Sequence, residues 1–236
     1  MWKETLRAFE EKYPQTLESG APADLPEKLR IRLPDAQASA EANAEQLERK
    51  VAKHRPAWEK MLALAVSGKK KKRESIRILW RLADELARAA LPLSACQQGC
   101  AHCCHIPVAL SRAEALLVGG PQGRTPAPIP GRTPLPDAGY DNPSPFLNAG
   151  RCSVYETRPL ACRLQFNMDR DPLLCELVNG VAVPVPLLNT LQIQMAYALV
   201  CQDEVLSDIR HFFPNEPDTR VAHDVRGKNV FELKRF

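Results

Sequence analysis

Cys96-Gln97-Gln98-Gly99-Cys100-Ala101-His102-Cys103-Cys104-His105 sets four thiols and two imidazoles within ten residues, in the spacing C-x3-C-x2-C-C-H. Thiolates are soft, charged donors that suit Zn²⁺ or iron–sulfur clusters, and spacing this short lets one turn of chain supply several to one centre. On a helix, at about 100° per residue, positions 96, 100, 103 and 104 fall within roughly a third of the circumference and share a face. If Gly99 breaks the helix, the same spacing makes a knuckle. Either arrangement gathers negative charge that only a cation makes tolerable. The competing account is a buried cysteine patch packed like small apolar side chains. It sits badly with neighbours such as Gln97, Gln98 and two histidines. His102 and His105 are candidate imidazole ligands, and equally candidates for hydrogen-bonding neighbours of the sulfurs.

A second stretch, P-F-L-N-A-G-R-C-S-V-Y-E-T-R-P-L-A-C-R over residues 145–163, carries Cys152 and Cys162, and Cys175 follows after a polar loop. The C-x3-C-x2-C-C element, then P-F-L, then C-S-V-Y-E-T-R-P-L-A-C-R, resembles the YkgJ-type cysteine cluster family, also called the CxxCxxCC zinc- or iron-chelating domain. The resemblance spans roughly residues 94–176. It implies zinc, iron or an iron–sulfur cluster bound at Cys96, Cys100, Cys103, Cys104, Cys152, Cys162 and Cys175. The family usually has a further cysteine just before P-F-L, where this chain has Ser144. The flagellin lysine methylase has a similar cysteine signature, so the resemblance also admits an iron–sulfur redox or protein-modifying enzyme. Tyr155, Arg158 and Arg163 are candidates for supporting roles, since an Arg beside thiolates offsets their charge and hydrogen-bonds sulfur. The plainer alternative is that Arg158-Pro159 sets a turn and Tyr155 packs in the core. Cys201, on an apolar helix, reads as packing.

Helices must deliver these thiols. A helix is expected over Glu4 to Tyr13, and a long one capped by Asp35, with Ala40, Ala44, Leu47 and Val51 on one stripe. Pro56 restarts it through Trp58, Leu62 and Ala65, and Gly68 stops it. His54 falls on this stripe as a core residue. Ser75 opens a second helix with Ile76, Leu79, Trp80, Ala83, Leu86, Ala87 and Ala90 inward, ended by Pro92 four residues before the first cysteine. Eight prolines between Pro121 and Pro145 leave an irregular surface loop. The pattern from Pro186 to about Cys201 is helical, with Leu188, Leu191, Met195 and Leu199 inward. The expected fold is mainly α: a helical body with an irregular, loop-rich cysteine cluster. It divides into an N-terminal helical extension (1–70), a cysteine-cluster domain (71–205) and a C-terminal tail (206–236).

Thirty-two basic against 28 acidic side chains leave +4, too mild to call for nucleic acid or an anionic membrane. The run Lys69–Arg73 lacks interleaved aromatics and reads as a solvated helix boundary. There is no Lys-Ser/Thr phosphate loop, no G-x-S-x-G elbow and no H-E-x-x-H pair, so no catalytic residue is assigned. Met1-Trp2-Lys3-Glu4 opens a charged stretch without the apolar region of a secretory signal, and the expected location is the cytoplasm. In that reducing compartment clustered cysteines favour metal ligation over disulfides. The expected partner is a metal ion, with no membrane and with room for a protein partner of unspecified kind.

Overall fold

A computed structural model describes residues 22–97, 99–131 and 133–214. The helix expected over Glu4 to Tyr13, and most of the tail expected at 206–236, lie outside them. Helices dominate: α1 (Glu27–Val51), α2 (Arg55–Val66), α3 (Lys72–Ala90), α4 (Arg112–Gly119), α5 (Leu160–Arg163), α6 (Leu191–Val200) and α7 (Ile209–Phe212). The strands are two residues each: β1 (Ala109–Leu110), β2 (Leu147–Asn148), β3 (Arg151–Cys152) and β4 (Ser207–Asp208). β1 pairs antiparallel with β4 and β2 with β3. Among the described residues, no helix is long and apolar enough to cross a membrane.

The centre is α3, whose Ile76, Leu79, Trp80, Ala83, Leu86, Ala87 and Ala90 are buried as their 3.6-residue spacing demands. It begins at Lys72 rather than Ser75, which is buried within the helix, so part of the basic run is helical. Lys72 pairs with Asp203 at 2.5 Å and Glu204 at 2.8 Å, and Lys70 with Glu74 at 2.8 Å. Around α3 pack α1, α2, α4, α5 and α6. α2 restarts after a 3-10 turn at Ala52–His54 with Pro56 in its first turn, where its missing N–H costs nothing. Gly68, at φ +71°, closes the helix pair. The boundary expected at residue 70 thus falls between two helices that pack on one another and share one core.

Three local expectations are corrected. Asp35 does not cap α1, which starts at Glu27 and runs through Pro34. An interior proline opposes a helix by about 3 kcal/mol. Here Leu25, Leu29 and Ala36 bury against Leu174, and Arg32 bonds to Asp169 and Asp171. Burying side chains of this size returns roughly 1.5–3 kcal/mol apiece, enough to hold the turn ahead of Pro34 helical. His54 is exposed and stacks on Trp58 at 6.0 Å instead of entering the core. α6 starts at Leu191 and turns Ile193, Ala196 and Tyr197 inward, leaving Leu199 48% exposed. Its face is chosen by the Tyr197 hydroxyl, which donates to a buried carboxylate, Glu114, at 2.6 Å.

Candidate metal centre

α3 and the 3-10 turn after it, Leu91–Leu93, deliver the chain to Cys96. There Ala95 N donates to Asn167 O at 2.9 Å, so residues 94–96 lie along 165–167. Gly99 takes φ +93°, a left-handed conformation that breaks any helix through the motif. Of the two geometries open to the spacing, the knuckle is adopted. Cys100 N closes a turn on Gln97 O at 3.1 Å, and Cys103 and Cys104 sit in the 3-10 turn His102–His105. The Pro-rich loop has no regular structure from Gly123 to Phe146 among its described residues, and it returns to this knuckle. Gly139 N bonds His105 O at 3.1 Å and Ser144 N bonds Cys104 O at 2.7 Å.

The loop leads into the β2–β3 hairpin, where Cys152 faces Leu147. Ala149 and Gly150 both have positive φ, the tight turn that matches strand twist. Cys162 lies on α5, and Cys175 ends the 3-10 turn Leu173–Cys175. Asn167 is buried beside them. It donates from its backbone N to Cys96 Sγ at 3.4 Å and from Nδ2 to Cys175 Sγ at 3.3 Å, while Oδ1 accepts from Asp169 N at 3.0 Å. Arg32 then holds Asp169 from α1. Replacing Asn167 by Ala should cost about 1–3 kcal/mol, because the Asp169 N–H loses its acceptor inside the protein. Urea unfolding measures it.

Cys96, Cys100, Cys103, Cys104, Cys152, Cys162 and Cys175 all line one cavity of about 580 Å³. All eight cysteines are free thiols, and Cys201 alone is buried in the core, outside this wall. His102 lines the cavity, with Nδ1 bonded to the Tyr140 hydroxyl at 2.7 Å. His105 is not part of the lining; its ring meets Tyr140 edge-on at 5.0 Å and its buried Nδ1 has no hydrogen-bond partner. Ser144 is also absent from the lining, its Oγ accepting from Phe146 N at 3.4 Å. Tyr155, Arg158 and Arg163 line the wall together with Arg151. Tyr155 is 52% exposed, so it does not pack in the core, and Arg158 stacks on its ring at 3.9 Å. Arg163 is buried over Trp80 at 4.5 Å and paired with Asp84 at 2.5 Å.

Burial pushes the Cys96, Cys100, Cys152 and Cys162 thiols upward, and carries Cys175 to about 11. Cys103 is raised because it donates a hydrogen bond to Cys104, whose own thiol is lowered by that bond. Ligating a cation would release the protons that the raised thiols hold. Among the described residues, no three His, Cys, Asp or Glu side chains stand close enough to hold a metal ion. The sulfurs are spread over a cavity wall. The donor chemistry fits a thiophilic cation such as zinc or iron, and ligation requires the sulfurs to draw inward.

Two residues carry no signal of their own in the sequence. One is Asn167. The other is Glu114, 0% exposed behind Cys162, accepting from Trp80 Nε1 at 2.7 Å, Leu160 N at 2.8 Å and Tyr197 OH. Its only trace is the S-x-x-E spacing from Ser111, which caps α4 by accepting from Glu114 N at 3.2 Å. In the usual box the Glu side chain reaches back to the cap N–H. Here Ser111 N bonds the Tyr197 hydroxyl at 2.8 Å and Glu114 turns into the core. Comparison with protein family models, with curated proteins and with solved structures finds no match to this chain.

Proposed function

We propose that this chain is a metal-binding protein whose cysteine cavity holds zinc or iron, the iron as ions or as an iron–sulfur cluster. The observation that supports it is convergence: the 96–104 knuckle, the β2–β3 hairpin, α5 and the Cys175 turn bring seven of eight cysteines to one cavity. The resemblance to the YkgJ-type cluster points the same way. Arg151 and Arg158 in the wall supply positive charge beside the thiolates, and Asn167 donates to two of the sulfurs. The cytoplasm, where free thiols persist, is the compartment this chemistry suits.

Cys100→Ser and Cys162→Ser, from opposite stretches of chain, should each lower the metal content and the melting temperature of the purified protein. Unchanged metal stoichiometry in both would rule out shared ligation. A second reading, an iron–sulfur redox or protein-modifying enzyme, draws on one feature. Part of the cavity wall is apolar, formed by Leu174, Leu177, Val178, Val181 and Val183, and leaves space beyond the sulfurs for a substrate. Anaerobically purified protein that is brown, with thiolate-to-iron absorption near about 400 nm, would carry the iron–sulfur cluster that this reading requires. Colourless protein containing zinc favours a structural metal.

A further inference from the structure

We infer that the outer face of α3 is a docking surface for the phosphate backbone of a double-stranded nucleic acid, bound without regard to base sequence; the inference stands apart from the metal-binding reading.

The net charge of the chain hides the feature. Residues 69–88 hold eight basic and three acidic side chains, a surplus of five against +4 for the whole chain. Folding then sorts this segment. α3 buries its apolar side, and its exposed residues are Arg73, Glu74, Arg77, Arg81 and Arg88, all of them charged. At about 100° and 1.5 Å per residue, the four arginines lie within roughly 80° of one another, in a row about 22 Å long. Among the described residues, no carboxylate pairs with any of these four guanidinium groups. The acids of the segment are engaged elsewhere: Glu74 with Lys70 at 2.8 Å, Asp84 with Arg163 at 2.5 Å, and Glu85 with the Trp58 indole N–H at 2.8 Å. Lys69 and Lys71, both exposed, stand just before the helix.

A row of unneutralised guanidinium groups, the first three at steps of about 6 Å, suits a linear polyanion. Guanidinium takes phosphate oxygens bidentately, and such contacts position a duplex without reading its bases. Single-strand binding relies on aromatic side chains that stack bases, and α3 exposes none. A helix lying on a membrane needs an apolar side free to insert, and a protein interface needs an apolar centre. The apolar side of α3 is already spent in the core.

The full chain is titrated against a short DNA duplex, an RNA duplex of the same sequence and a DNA duplex of scrambled sequence, at several salt concentrations. Four phosphate contacts predict a slope of log affinity on log salt of about −3.6, roughly a 100-fold loss between about 50 and 200 mM. Both DNA duplexes should bind equally. Tighter binding of either DNA or RNA supports the inference and names the nucleic acid, since the 2′-hydroxyl tells them apart. Combining Arg73→Gln, Arg77→Gln, Arg81→Gln and Arg88→Gln should abolish binding and leave the melting curve in place, because these side chains are exposed. Combining Arg49→Gln, Lys50→Gln, Lys53→Gln and Lys60→Gln, equally exposed but outside α3, should leave most of the affinity. Arg77→Gln alone should lower the slope by about 0.9, which keeps the test decisive if the fourfold variant fails to fold. No binding at low salt, a slope near zero, weaker binding of the scrambled duplex, or equal losses in the two fourfold variants overturns the inference. So does tighter binding to phosphatidylserine vesicles or to polyglutamate than to either duplex.

Discussion

Stripping metal from the purified protein with a chelator, in the absence of oxygen, is expected to lower its melting temperature by on the order of 10–20 °C. Structural zinc supplies on the order of 10 kcal/mol or more of apparent binding free energy. If about half of that is realised as stability, at about 2–4 °C per kcal/mol for a chain of this size, a shift of that order follows. The reason lies in how little else closes the cavity. The Pro-rich loop between Gly123 and Phe146 has no regular structure among its described residues. It is tied back by scattered backbone bonds: Ala127 N to Phe212 O at 2.8 Å, Gly139 N to His105 O, and Ser144 N to Cys104 O. Metal bound as proposed, by the knuckle, hairpin, α5 and Cys175, would cross-link both ends of that loop to the helical body. An unchanged melting curve, with metal loss verified by elemental analysis, would mean the body holds the loop unaided.

The same expectation has a pH dependence with a definite sign. The proposed ligand thiols Cys96, Cys100, Cys152, Cys162 and Cys175 are pushed up chiefly by burial, Cys175 to about 11. Each must lose its proton to ligate, so binding releases protons and affinity falls as pH falls. Melting curves with and without chelator should therefore converge in acid. Calorimetric titration in buffers of different ionisation heat counts the protons released.

Glu114→Ala is expected to cost about 3–5 kcal/mol, because it strands the Trp80 indole N–H, the Leu160 N–H and the Tyr197 hydroxyl in the core. Glu114→Gln keeps the volume and should cost less. The carboxyl also makes stability depend on pH. Burial raises its folded-state pKa above the unfolded value of about 4.3, against the pull of its three donors and Arg163. The folded state then holds the proton more tightly. Its contribution is full below the unfolded value and is lost as pH rises through the folded one. Urea unfolding of the wild type should show this loss, and Glu114→Gln should flatten it. A pH profile identical in the two proteins would place the dependence elsewhere. Because Leu160 N begins α5, Glu114→Ala should also loosen Cys162 and weaken the proposed metal binding.

Much of the helical body is legible along the chain, because one-sided burial imprints its period on the residues. The inward set Ile76, Leu79, Trp80, Ala83, Leu86, Ala87 and Ala90 of α3 is buried as its spacing demands, and Pro56, Gly68 and Pro92 mark boundaries near where they fall. Periodicity fails where a distant partner outweighs local preference. Pro34 lies inside α1 because Leu174, Asp169 and Asp171, more than 130 positions away, anchor the turn before it. α6 presents Tyr197 rather than Leu199 because one buried hydrogen bond to Glu114 outweighs a rank of leucines.

The candidate site divides in the same way. Which residues carry thiols, how closely they follow one another, and that Gly99 can break the helix between them are local facts, complete in the order of residues 96–105. That the cysteines at 152, 162 and 175 face the same space is decided by tertiary contacts: Asn167 reaching two sulfurs, Ser144 meeting the Cys104 backbone, Glu114 setting the start of α5. The physical reason is range. Backbone conformation and side-chain chemistry act over one turn of chain, whereas a shared cavity depends on hydrogen bonds and packing between segments that only the folded core brings together.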